Sequence, residues 1–185
     1  MKRIFDLILA IFLFLVLLIS LLLIAVLVIA TSKGPVLYWS DRIGKNNKIF
    51  KMPKFRSMLI DTPTVATHLL DNPDSYLSPI GGFLRRSSLD ELPQLFNVIK
   101  GNMSLVGPRP NVFAQQELYS KSEWEKRNSV RPGITGLAQA LIRSSGTPDE
   151  RTRLDLKYVE KQSLFYDIYI IMLTIKQVLF KGDTN

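Results

Sequence analysis

The chain has 185 residues, with 24 basic against 16 acidic side chains, a net charge of +8, no cysteine and a single histidine, His68. Disulfides, thiolate zinc sites and a cysteine nucleophile are therefore excluded, and one histidine argues against a multi-histidine metal site or a Ser-His-Asp triad. Catalysis would fall to carboxylates, basic groups, hydroxyls or an oxygen-ligated ion, and the charge favours anionic partners such as nucleic acid, anionic lipid or a phosphorylated substrate.

Residues 7–32 carry no formal charge and are mostly Leu, Ile, Val and Phe. As one helix they would extend roughly 39 Å, more than a ~30 Å hydrocarbon core. The run is too long for a secretory signal, and "IATSKGPV" is a poor cleavage site, so the segment is expected to stay in the membrane. Lys2 and Arg3 precede it, and Lys33, Arg42, Lys45, Lys48, Lys51, Lys54 and Arg56 follow, opposed only by Asp41. The positive-inside rule puts the second cluster in the cytoplasm. Keeping both clusters there favours a segment that dips in and returns, whereas the unbroken apolar run favours a span. The residues alone leave both open.

Beyond the segment, residues 36–40 and 48–52 read as short strands joined by a turn over 44–47. Residues 61–80, with Pro63, Pro73 and Pro79, read as a mobile loop. A helix is expected from about Leu89 to Lys100, stopped by Gly101-Asn102, and a second over 112–129. A third begins near Pro148. Residues 163–180, apolar but interrupted by Asp167 and Lys176, suit an interfacial or core helix better than a span. The fold expected is mainly α with a small β-hairpin: a membrane-embedded segment over 1–33, interfacial amphipathic helices, and a compact cytoplasmic domain over 34–185.

The stretch "SSLDELPQLFNVIKGNMSLVGPRP" (87–110) holds the adjacent carboxylates Asp90 and Glu91. Ser88-Leu89-Asp90-Glu91 fits a capping box in which Glu91 reaches back to Ser88, and Asp90 could itself cap the helix. The chemical alternative is that Arg85, Arg86, Arg109, Lys54 and Arg56 converge on the pair. A carboxylate at a helix start is favoured in its ionised form, as a nucleophile or Mg²⁺ ligand must be.

Taken in order, "KRIFDLILA", "KIFKMPKFRSM", "LRRSSLDELPQLFNVIKGNMSLVGPRP", "VRPGITGLAQ" and "LDLKYVEKQSLFYDIYIIMLT" resemble the monotopic phosphoglycosyl transferases, or bacterial sugar transferases. The likeness is to the small form, close to the initiating enzyme of bacterial N-linked glycan assembly. It implies transfer of a phosphosugar from a UDP-sugar to polyprenyl (undecaprenyl) phosphate with release of UMP. Short members often take N-acetylated amino or deoxyamino sugars, and that donor class is the expectation. By the same likeness Asp90 is the nucleophile that forms a covalent phosphosugar intermediate, and Glu91 helps hold Mg²⁺. Arg85 and Arg109 contact phosphates, while Lys54, Arg56, Gln139 and Asp155 are further substrate-site residues. The likeness also implies a location at the bacterial inner membrane, catalytic domain on the cytoplasmic face, in contact with membrane lipid. No nucleic-acid partner is expected, and a homodimer is admitted. The family's re-entrant segment usually breaks at a Ser-Pro pair; here the stretch has Ser20 and no proline, so no backbone block forces a bend. Re-entry remains the expectation.

Other features have plainer readings. His68 reads as solvated, Trp39 as an interface anchor, Trp124 as an anchor or core residue, and Tyr158, Phe165, Tyr166 and Tyr169 as packing. "RPGITG" is either a turn or a donor-site loop. A non-catalytic, membrane-anchored basic module is the competing class. A transferase of the sugar alone is disfavoured because no Asp-x-Asp motif is present.

Overall fold

The computed structural model describes residues 1–62, 72–142 and 146–180. It opens with α1 (Lys2–Val16) and α2 (Leu18–Thr31), which are bent by 59° at Leu17. Neither proline nor glycine lies at the break. The bend falls where the chain changes partners. Leu9, Ala10, Leu13 and Leu17 pack in a cluster with Leu95, Val98, Met103 and Leu105, whereas Leu21, Ile24 and Val28 join Phe55 and Leu84 in a second.

The start of α1 is tied to the body by polar contacts that the uncharged stretch gave no reason to expect. Arg3 donates from Nη1 to the Val98 carbonyl at 2.6 Å and from Nη2 to that of Ile99 at 2.9 Å. Those carbonyls lie in the last turn of α4 (Leu95–Lys100), where acceptors lack the i→i+4 partners of a helix interior, and that of Val98 also takes the Gly101 amide at 3.1 Å. Asp6, buried, accepts from Ser104 Oγ at 2.8 Å and from the Leu105 amide at 3.3 Å. Lys2 donates to Asp167, a fully buried carboxylate that also accepts from Tyr158 Oη.

The hairpin is present and longer than expected, pairing β1 (Leu37–Ile43) with β2 (Ile49–Phe55) in register from Leu37↔Phe55 to Ile43↔Ile49. Asn46 and Asn47, in the left-handed region, turn it. Pro53 does not stop β2, because a two-stranded sheet leaves every strand an edge that can spare a donor. This extension carries Lys54 into the ladder.

The predicted helix over 89–100 is only half α. Residues Leu89–Gln94 form a 3₁₀ turn with Pro93 inside, α4 follows, and Gly101 at φ 94° closes it as expected. A short α3 (Gly81–Arg86) precedes the turn. The pattern over 112–129 divides into a 3₁₀ turn at Phe113–Leu118 and α5 (Lys121–Arg127), capped by Ser120. The third predicted helix is α7 (Pro148–Lys161), with a capping box formed by Thr147 and Glu150. The apolar C-terminal run is α8 (Leu164–Phe180). Trp124 and Tyr158 are buried. His68 lies outside the described residues, as does much of the loop expected over 61–80.

A second, parallel pair went unforeseen: β3 (Ser104–Val106) lies beside β4 (Gly133–Thr135), followed by α6 (Leu137–Ile142). Its glycines are there for contact. A Cβ on Gly133 would sit 2.1 Å from the Gly107 amide nitrogen, and one on Gly107 would sit 2.4 Å from the Arg131 carbonyl oxygen. "RPGITG" is thus the backbone partner of the segment that carries Arg109.

Candidate active site

The 3₁₀ turn is held on both flanks. Leu89 and Leu92 pack in the cluster of α2, and Leu95 packs in that of α1, so Asp90 and Glu91 are carried between two cores. The capping box does not form. Ser88 takes φ 57° and caps nothing with its side chain, while the Glu91 carboxylate is engaged elsewhere. Lys54 Nζ donates to Glu91 Oε1 at 2.6 Å, and Arg109 forks onto both oxygens through Nη1 and Nη2. These partners lie 37 and 18 residues away along the chain, beyond the reach of any local pattern.

The neighbouring carboxylates have opposite environments. Burial alone would raise the Glu91 pKa, but the charges and hydrogen bonds of Arg109 and Lys54 outweigh it and hold the group at about 2. Asp90 is also buried, and its nearest cation, Lys54 Nζ, stands 4.0 Å from Oδ2. No hydrogen bond reaches its carboxylate among the described residues. Burial pushes its pKa up, and Lys54, opposing, does not cancel the effect. The 3₁₀ turn gives the Asp90 carboxylate no hydrogen bond, so whatever a helix start contributes to the ionised form is outweighed by desolvation in the direction of the shift. Its conjugate base is more basic than an exposed aspartate.

Arg109 is fixed through its backbone. Across Gly107 to Asn111 the Gly107 amide donates to the Thr135 carbonyl at 2.9 Å, and the Pro108 carbonyl accepts from the Gly133 amide at 3.0 Å. The Arg109 carbonyl accepts from Arg127 at 2.6 Å, and that of Asn111 accepts from the Ile43 amide at 2.9 Å. Prolines on either side of Arg109 fix φ and leave no stray donor.

The remaining expected site residues fall at different distances. Arg85, on α3, acts electrostatically on Asp90 and donates to Met58 Sδ at 3.2 Å. Gln139, on α6, donates to the Ile134 carbonyl and lines the same cavity as Glu91 and Arg109. The Arg56 guanidinium lies over Gly34, at the exit of α2. Asp155 is buried on α7 in an ion pair with Arg127 at 2.8 Å, so its link to Arg109 runs through that arginine. Arg127, which joins the two, offered no sequence signal.

A cavity of about 470 Å³ opens at the Glu91–Arg109 pair. Leu9 and Leu13 of α1, Leu17 at the bend, and Ile171 and Val178 of α8 form apolar walls, and Gln139 and Thr135 add polar atoms. Among the described residues no group of three or more His, Cys, Asp or Glu side chains could hold a metal. Glu91, with about four lone-pair sites and three hydrogen bonds, keeps one site open. This fits Mg²⁺, which takes one or two carboxylates and completes its shell with water and substrate phosphates.

The bacterial sugar transferase family model matches residues 1–181. The chain is 39% identical, over its whole length, to the UDP-glucose:undecaprenyl-phosphate glucose-1-phosphate transferase of Escherichia coli strain K12, of which it covers 40%. It is 41% identical over 79% of its length to the galactosyl transferase CpsE of Streptococcus agalactiae serotype III, covering 35% of that protein. It is also 38% identical over 97% of its length to the uncharacterized sugar transferase EpsL of Bacillus subtilis, covering 87% of it. The chain therefore spans well under half of the first two relatives.

Replacing Asp155 by Ala should leave the buried Arg127 without its partner and cost about 3–5 kcal/mol in unfolding free energy, read by chemical denaturation in detergent. Unchanged stability together with a raised KM for one substrate would instead mean that Asp155 touches that substrate directly.

Proposed function

This chain belongs to the bacterial sugar transferase family, and on that premise we propose that it moves a sugar phosphate from a UDP-sugar to undecaprenyl phosphate. The observation that carries the reading is the division of labour between adjacent carboxylates. Glu91 is locked by Lys54 and Arg109, whereas Asp90 is buried, accepts no hydrogen bond among the described residues and faces cations.

In this reading an Asp90 oxygen attacks the β-phosphorus of the donor. An aspartyl O–P bond forms, the bond from that phosphorus to the bridging oxygen breaks, and UMP leaves with the electron pair. An oxygen of undecaprenyl phosphate then attacks the same phosphorus, and the Asp90 carboxylate is released. Two displacements let one nucleophile serve a soluble donor and a lipid acceptor in turn. Lys54 and Arg109 are placed to stabilise charge on phosphoryl oxygens, and the guanidinium fork suits them geometrically. Glu91, with Asp90 beside it, would hold Mg²⁺, whose contribution is to neutralise charge on the diphosphate. The apolar cavity between α1 and α8 suits the first isoprene units of the acceptor, with its phosphate at the Glu91–Arg109 mouth.

We assign the α1–α2 pair as a re-entrant membrane segment on the cytoplasmic face of the inner membrane. Lys2 and Arg3 are bonded to the same body that carries the basic residues after α2, which supports keeping both ends on one side. The helices leave Ile8, Phe12, Leu15, Ile19, Leu23 and Val26 exposed, an apolar surface suited to lipid. Phe165, Tyr169 and Met172 do the same for α8, in keeping with an interfacial helix.

Protein in nanodiscs with Mg²⁺ and undecaprenyl phosphate should release UMP from one member of a UDP-sugar panel. Glucose and galactose donors, which relatives' names carry, belong in that panel beside the N-acetylated amino and deoxyamino sugars implied by the sequence. Asp90→Asn should lower turnover at least about 10³-fold. Release of UDP would mean transfer of the sugar alone, and release of neither would favour a non-catalytic module. Single cysteines at Met1 and Gly34, in a chain that has none of its own, should both be shielded from an impermeant thiol reagent in intact cells. Labelling at Met1 alone would make the segment a span.

A further inference from the structure

Resting on the phosphosugar-transfer reading of the site, we propose that Arg42 binds the donor phosphate that Asp90 does not attack, the one that departs with the nucleotide. In the hairpin register Tyr38 faces Lys54, Ser40 faces Met52 and Arg42 faces Phe50. Directly opposed residues share a face of a sheet, and alternate residues along a strand return to it. Arg42 and Lys54 are therefore on the face of the hairpin that Lys54 turns towards Glu91.

Arg42 is partly buried and, among the described residues, has no carboxylate within ion-pair distance, the charge of Glu91 reaching it only from further away. Its neighbour Asp41 pairs with Lys51, and Glu91 is taken by Lys54 and Arg109. Among the described residues its guanidinium makes two long hydrogen bonds, from Nε to Ser40 Oγ at 3.2 Å and from Nη1 to the Pro110 carbonyl at 3.4 Å. Five N–H donors served by two such contacts leave capacity for an anion. Partial burial of a guanidinium beside another guanidinium is unfavourable until such an anion arrives. Burial and the like charge of Arg109 both pull the Arg42 pKa down, consistent with that vacant demand.

The contacts also have an order. The Pro110 carbonyl that Arg42 reaches belongs to the residue after Arg109, and Arg109 forks onto Glu91, the chain neighbour of Asp90. Arg42 is thus joined to the Asp90 end of the site through the segment that carries Arg109. A diphosphate with its β-phosphorus at Asp90 meets Arg42 with its other phosphate. Arg42 stabilises the charge that builds on the departing UMP, and its planar fork suits phosphate oxygens.

The test uses the full chain in nanodiscs and compares Arg42→Gln and Arg42→Lys with wild type. Arg42→Gln should weaken product inhibition by UMP and raise the KM for the UDP-sugar, each by roughly tenfold or more. Competition by uridine, which lacks the phosphate, and the KM for undecaprenyl phosphate should stay as in wild type. Arg42→Lys, which keeps the charge and loses the fork, should fall between; it carries the test if the glutamine variant does not fold. UMP inhibition equal to wild type in a folded variant overturns the assignment. So does a joint rise of both KM values with a lowered thermal midpoint, which would make Arg42 a structural residue. A wild-type protein that turns over normally beside such variants sinks only Arg42. One that releases no UMP from any donor sinks the phosphosugar reading, and this assignment with it.

Discussion

The pairing of Glu91 with Lys54 and Arg109 is the interaction on which the rest of the site depends. It joins three pieces of chain that share no local structure: β2, the 3₁₀ turn and the segment between Pro108 and Pro110. The Glu91 and Lys54 side chains are only 15% and 19% exposed, so the charges are largely removed from water and each needs the others to remain in place. Such a cluster contributes less to net stability than to geometry. Removing Glu91 leaves the Lys54 ammonium largely buried with only the more distant Asp90 to pair with, while Arg109, half-exposed, keeps water on its outer side.

Around that cluster, apolar packing and backbone hydrogen bonding fix position in complementary ways. The turn bearing Asp90 is anchored by leucines in two separate cores. The segment bearing Arg109 buries the prolines on either side of it and is held carbonyl by carbonyl, by Gly133, Arg127 and Ile43. Close approach of Gly107 and Gly133 makes that backbone lacing sterically feasible. The α1 helix serves both purposes, since its apolar stripe walls the cavity while Lys2, Arg3 and Asp6 bind the body. The helix that leaves an apolar face exposed and the candidate site thus share one core.

What could be read from the chain was what local chemistry decides. The Asn-rich turn of the hairpin, the stop at Gly101 and the helix after Thr147-Pro148 all follow from residues that set backbone conformation within one turn. The capping box at Ser88 failed because its glutamate was claimed by partners distant in sequence. Helix-end electrostatics at Asp90 is likewise local, whereas the burial that raises its pKa is a property of the folded whole. The β3–β4 pair was invisible because each strand is three residues long. The bend at Leu17 carries no proline signal and falls where the helix passes between two cores. Asp155 could be singled out, but its dependence on Arg127 could not. The proposed reaction rests on the ordered family motifs, and the geometry gives physical reasons for treating Asp90 and Glu91 differently.

We propose that Asp90 is the carboxylate that reacts and that Glu91 is held in place by Lys54 and Arg109. This is tested most directly by mixing the protein with its UDP-sugar in the absence of undecaprenyl phosphate, quenching within one turnover and weighing the intact chain. A mass increase of one sugar phosphate, present in Glu91→Gln if that variant reacts at all and absent in Asp90→Asn, is the result predicted. An unmodified chain that releases UMP only when acceptor is present, under conditions where acceptor-driven turnover is fast, would contradict it and point to a single direct displacement.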